Sequence, residues 1–208
     1  MKKMTILFCS CILMQMAYSQ NLVIDNNITL KRGIYKTYEE FKNNSPSVPL
    51  EYEIKAVRLI MQSQLYNDIV YQMEIDKDKA KEIGDIWGFC DGKSVYINMQ
   101  FKVMTQKKIF KPNSQFDKLL YIERYCCFIS VQPIPNVVGL GHYFYALDFN
   151  TGKEIVINKV TLKKIISKDE GLLEDFKNEK FLDKYDDDTY IKYLRLYSER
   201  HKDEIIRN

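Results

Sequence analysis

Two short alternating runs meet at Asp91-Gly92, and that junction constrains the fold more than any other stretch of the chain. The segment is Ile86-Trp87-Gly88-Phe89-Cys90-Asp91-Gly92-Lys93-Ser94-Val95-Tyr96-Ile97-Asn98. A glycine after an aspartate accepts the positive φ of a two-residue primed turn, so the runs are expected to form an antiparallel hairpin. That turn pairs Phe89 with Ser94 and Trp87 with Tyr96. It places Trp87, Phe89 and Tyr96 on one face and Ile86, Val95 and Ile97 on the other. Both faces are apolar, which predicts a hairpin at the centre of a sheet covered on both sides.

Other strands follow from the same period of two. Ile69, Tyr71, Met73 and Ile75 alternate, and residues 51–75 read as two strands, although Ile54, Val57, Met61 and Leu65 also fit a helical stripe. Asp76–Glu82 reads as a charged connection. Tyr121–Val131 is aromatic and β-branched and is stopped by Pro133 and Pro135. Tyr143, Tyr145, Leu147 and Phe149 alternate before an Asn150-Thr151-Gly152 turn, and Glu154–Asn158 returns as the partner strand. Residues 20–32 suggest an edge strand.

After residue 158 the period changes to that of helices. Thr161–Ile166 forms one or two turns. Ser167 and Glu170 have capping-box spacing, followed by Leu172, Leu173 and Phe176. Tyr190, Ile191, Tyr193, Leu194 and Tyr197 make the apolar stripe of a last helix. A short helix with Thr37 and Glu40 at capping-box spacing lies near the start. Strands first and helices last predict an α+β fold, an antiparallel sheet built from hairpins with C-terminal helices packed on one face.

Residues 1–19 read as a cleaved secretory signal. Lys2 and Lys3 precede an apolar run from Thr5 to Met14, and Ala17-Tyr18-Ser19 supplies the small residues before Gln20. That run is too short to span a bilayer, and no transmembrane helix is expected in the remainder. Residues 20–208 then form a single α+β domain, periplasmic or extracellular. The full chain is formally +3, and losing Lys2 and Lys3 leaves +1. So small a charge gives no broad footprint for nucleic acid. Cys90, Cys126 and Cys127 remain. They read as buried thiols, with one bridge from Cys90 to a single member of the adjacent pair as the alternative.

Gly33–Ser47 (GIYKTYEEFKNNSPS) and Ile86–Asn98 (IWGFCDGKSVYIN) resemble a family of exported, uncharacterised proteins of Bacteroidota-type bacteria. The resemblance extends more weakly through Tyr121–Asn158 and Leu162–Phe176. It implies export and membership, and it carries no activity and no catalytic residues.

Chemical motifs are sparse. The two histidines are His142, at a strand entrance, and His201, in a charged tail. A nucleophile with a histidine base would need Cys126 or Cys127 to approach His142. Closely spaced zinc ligands are missing, and Asp183 with Asp186–Asp188 lacks the glycine of a calcium loop, so helix capping is the expected role. Gly139-Leu140-Gly141-His142 lacks the lysine of a phosphate loop. No metal or cofactor is expected. Tyrosine offers a flat apolar body and a polar tip, so Trp87, Tyr96, Tyr143 and Tyr145 are the candidate ligand face. These features favour a non-catalytic extracytoplasmic binding or interaction module with a protein or glycan partner in the envelope. A small extracytoplasmic hydrolase using His142 is the alternative, and a structural subunit of an envelope assembly is a third.

Overall fold

The computed structural model describes residues 22–25, 28–61, 64–99, 110–133, 140–179 and 187–206, and the expected signal segment lies outside them. The fold is α+β, with two antiparallel sheets in place of one. The first is six-stranded, built from β1 (Gly33–Tyr35), β2 (Ile54–Met61), β3 (Gln64–Met73), β4 (Gly88–Cys90), β5 (Val95–Asn98) and β6 (Gln115–Lys118) in the order β1-β4-β5-β6-β3-β2. The second contains β7 (Tyr125–Pro133), β8 (Leu140–Asp148) and β9 (Glu154–Val156) in sequence order.

Side-chain alternation turns these sheets into layers. Cys90, Val95 and Ile97 of the large sheet meet Cys126, Phe128 and Leu147 of the small one, closing an inter-sheet core with Tyr35, Phe41, Trp87 and Phe149. On the far side of the large sheet, Phe89, Tyr96 and Phe116 pack with Ala80 and Ile83 of α2 (Lys77–Ile83). The far side of the small sheet buries Cys127, Phe144 and Ala146 under α3 (Lys159–Ile166), α4 (Glu170–Asn178) and α5 (Asp187–Arg200). Leu162, Leu172, Phe176, Tyr190, Tyr193, Leu194 and Tyr197 supply the helical half of that core.

The β4–β5 hairpin is central and buried on both faces, as its pattern requires. Its register differs by two residues from the expected one. Phe89 pairs with Tyr96, and Cys90 with Val95, so four residues form the loop. The Asp91 carboxylate causes this. Oδ1 accepts from the Lys93 and Ser94 amides, both at 2.7 Å, and Oδ2 from the Tyr96 hydroxyl at 2.9 Å, which folds the loop around one side chain. Burial alone would raise the Asp91 carboxyl, but those three donors hold it below its ordinary value. The expected faces also change. The chain bends at Trp87, so Trp87 joins Cys90 in the inter-sheet core while Ile86 joins Phe89 on the other side.

The two family-like segments interlock. β1 pairs with β4, the Trp87 amide donates to the Tyr35 carbonyl at 2.9 Å, and Trp87 stacks on Phe41 of α1 (Tyr38–Lys42) at 4.6 Å. Thr37 caps α1 through the Glu40 amide, but the Glu40 carboxylate reaches back to the Lys36 amide, one residue before the cap. In the segment expected as an edge strand, the described residues 22–25 and 28–32 are irregular instead, with Val23 tied to the Lys42 carbonyl and β1 taking the edge. Asp76–Glu82 is largely helix and not a mere connection. Asp76 caps α2, whose short amphipathic face rests on Ala80 and Ile83. Asp169, two residues beyond the expected Ser167, caps α4.

Gly152 closes the β8–β9 turn at φ 68°, where an added Cβ would lie 2.6 Å from the Tyr38 ring. Gly152→Ala is therefore expected to destabilise the protein by about 2 kcal/mol, read as a lower urea midpoint at unchanged slope.

Candidate functional site

The structure divides the four aromatic candidates among different environments. Trp87 is buried between the sheets. Tyr96 is buried on the opposite side of the large sheet, stacked on Phe89 at 4.6 Å. Tyr143 and Tyr145 are half-buried on β8, and Tyr145 stacks on Phe128 at 5.2 Å. They do not converge on one cleft.

His142 is separated from the thiols by register. It pairs with Val131, while Cys127 pairs with Ala146, four positions along β8. Four strand residues span about 13 Å. Cys90, Cys126 and Cys127 are free and buried. Cys126 faces the core that holds Cys90, and Cys127 faces the helices. Burial pushes the Cys126 thiol up to about 12 and raises Cys127 as well, so neither is the thiolate that a nucleophile requires. His201 stacks on Tyr197 at 4.3 Å and contacts Glu204 through Nδ1 at 3.0 Å, making it part of a clasp on the tail. Asp187 and Asp188 open α5, whereas Asp183 and Asp186 lie outside the described residues. Among the described residues no group of three or more His, Cys, Asp or Glu could hold a metal ion. Nor is any helix among them long and apolar enough to cross a membrane.

The strongest geometry is a cleft of about 840 Å³ beside α5. Its first wall is Ile122-Glu123-Arg124, the approach to β7. There the chain turns back, and the Leu120 amide donates to the Cys127 carbonyl at 2.7 Å. Its second wall is the outer face of α5, with Lys192, Arg195, Leu196 and Glu199 at helical spacing. The opposite face of α5 is anchored by Tyr190, Tyr193, Leu194 and Tyr197, and the Ser198 hydroxyl accepts from the Tyr125 amide at 3.3 Å. Ile24, Asp25, Lys202, Asp203 and Ile205 complete the lining.

Two ion pairs set the electrostatics. Arg124 Nη1 donates to Asp148 Oδ1 at 2.7 Å, with the side chains only 10% and 15% exposed. Asp148 also accepts from the Asn150 and Thr151 amides. The guanidinium lies 4.7 Å from the Tyr125 ring centroid. Arg195 Nε donates to Glu123 Oε1 at 3.1 Å, and its guanidinium sits over Tyr121. Glu123 Oε2 and Arg124 Nε are buried without a hydrogen-bond partner among the described residues. Burial pushes the Glu123 carboxyl up, Arg195 draws it back, and Glu199 adds to the rise, leaving it above its ordinary value. The Glu123 carboxyl is thus perturbed by burial at the edge of the cleft, and its unpartnered Oε2 is itself closed off from solvent.

Sequence reasoning missed Glu123, Arg124 and Arg195. The available signal was the charged pair Glu123-Arg124 inside an otherwise apolar run, which strand pairing alone would not retain.

This architecture is a layered α+β protein with a charged cleft on its helical side. Residues 33–141, slightly more than half of the chain, match the profile of a family of unknown function, DUF6563, and the chain belongs to that family. No curated protein and no solved structure shows significant similarity to it. The match covers the large sheet and Ile122–Arg124 but ends at the second residue of β8, so the α5 wall of the cleft lies beyond it.

Proposed function

We propose that the chain is an exported, non-catalytic binding module of the bacterial envelope, in a family of Bacteroidota-type bacteria, and that the cleft beside α5 seats its partner. The observation that carries this is the cleft itself. It lies within the size range of small-ligand and side-chain pockets and has apolar walls at Ile122 and Leu196 beside the charged Glu123, Arg195 and Glu199. The amino-terminal sequence supports export. The buried, protonated thiols and their distance from His142 favour recognition over thiol catalysis.

The test is an array of envelope glycans and peptides, probed with wild type and with Leu196→Arg, which fills the cleft from α5. A matched urea midpoint guards against loss of fold. Saturable binding by wild type that is lost in the variant is the expected outcome. Turnover of an array member, abolished by one substitution in the cleft, would overturn the non-catalytic reading. Ligands bound equally by both proteins would overturn the site. Amino-terminal sequencing of protein recovered from the periplasm is expected to begin at Gln20.

A further inference from the structure

The chain seats one of its own segments at the cleft. After α5, Lys202–Glu204 makes a single 3₁₀ turn, and the backbone extends at Ile205 with φ −70° and ψ 118°. The Ile205 side chain packs against the inter-sheet core, as Ile24 and Ile122 do, and all three line the cleft. Asn150, in the β8–β9 turn, grips the main chain on both sides of that isoleucine. Its Nδ2 donates to the Glu204 carbonyl and its Oδ1 accepts from the Ile206 amide, both at 2.9 Å. A primary amide carries a donor and an acceptor side by side, so it can match the C=O and N–H that flank one residue of an extended chain. Neither bond reads a side chain, and Ile206 is half exposed. Selectivity therefore rests on the aliphatic group between them.

The rest of the fastening is local. Glu204 Oε1 contacts His201 Nδ1, and the Glu204 and Ile205 amides donate to the His201 and Lys202 carbonyls. Exposed segments held by short-range bonds open at low cost. Building on the cleft as the binding site, we infer that this tail is an internal stand-in for the partner, which is an extended peptide placing an aliphatic side chain in the Ile205 seat and pairing its main chain with Asn150. Tail and partner compete for the seat beside Ile24 and Ile122. The partner binds only the fraction of molecules whose seat is open, so the tail sets the affinity. A glycan has no main-chain carbonyl and amide flanking a side chain, which favours the peptide.

The probe is a peptide with the sequence of residues 202–208, blocked at both ends, titrated at millimolar concentration and followed by amide chemical shifts. Ile205→Ser in the protein weakens the tail's own hold and leaves Asn150 in place, and a urea midpoint matched to wild type guards the fold. This variant is expected to bind the peptide saturably and about tenfold more tightly than wild type. Adding Asn150→Ala should weaken that binding about tenfold, and a peptide with serine at the Ile205 position should not bind. Asn150→Ala alone is expected to speed amide exchange at Ile205, whose own bond to the Lys202 carbonyl it does not touch. Equal affinity of wild type and Ile205→Ser, silence of the peptide, binding indifferent to Asn150→Ala, or unchanged exchange at Ile205 overturns the inference. If the peptide is silent while array ligands are still lost with Leu196→Arg, the cleft stands as the binding site and only the role of the tail falls. If the peptide binds as expected while array ligands ignore Leu196→Arg, the seat at Asn150 stands and the α5 wall is struck from the site.

Discussion

Gly88→Ala is expected to lower stability by about 3 kcal/mol, the upper part of the range for overpacking a dense interior. The reason is backbone, not side chain. A Cβ at residue 88 would sit 2.2 Å from the Tyr96 carbonyl oxygen and 3.3 Å from the Ile97 Cα. Both belong to β5, the hydrogen-bonded neighbour of β4, and no rotamer change can move them. Relief requires β4 and β5 to separate. Phe89 and Tyr96 are stacked across that pair, and Cys90 and Val95 pack against the small sheet, so separation disturbs two cores at once. Urea unfolding should show a lower midpoint. A contrasting change is Gly171→Ala on the exposed surface of α4, where the nearest atom to the new Cβ is 3.6 Å away. A shift of Gly88→Ala no larger than that of Gly171→Ala would mean that the hairpin tolerates a wider spacing than its geometry indicates.

Removal of the Asp148 carboxylate is expected to be comparably severe. Asp148→Ala leaves the Arg124 guanidinium nine-tenths buried without its counterion, a situation that costs about 3–5 kcal/mol. It also strips the acceptor for the Asn150 and Thr151 amides, at 2.8 and 3.2 Å, that shape the β8–β9 turn. The double variant Arg124→Met, Asp148→Ala should recover a large part of the loss, because an apolar side chain in that place no longer demands a partner. Denaturation of the two single variants and the double variant gives the coupling directly. Additive losses would show that Asp148 acts through the turn and not through Arg124.

Local chemistry made much of the fold legible. Asp91-Gly92 announced a central hairpin, yet turn length was decided by how many amides one aspartate could satisfy, and that shifted the register by two. Asp76 and Asp169 illustrate a related limit. Each caps a helix by accepting from the amide three residues on, a bond visible in sequence only as one acid among many. The seven-residue α2 was hidden because its apolar stripe is just Ala80 and Ile83. The division into two sheets was not legible at all, since alternation specifies faces and not which strands share a ladder. The cleft was harder still. Glu123 and Arg195 are 72 residues apart, and no spacing rule joins them. The aromatic residues that drew attention in the sequence had largely been used to build cores.

Cys126 and Cys127 are neighbours in the chain, yet they belong to different cores. One thiol becomes solvent-accessible only when the two sheets part, the other only when the helical layer lifts. Two consecutive residues thus report on two separable openings of the molecule. The order in which the layers come undone can be followed without adding a probe, from the sequence of thiol labelling along a single strand.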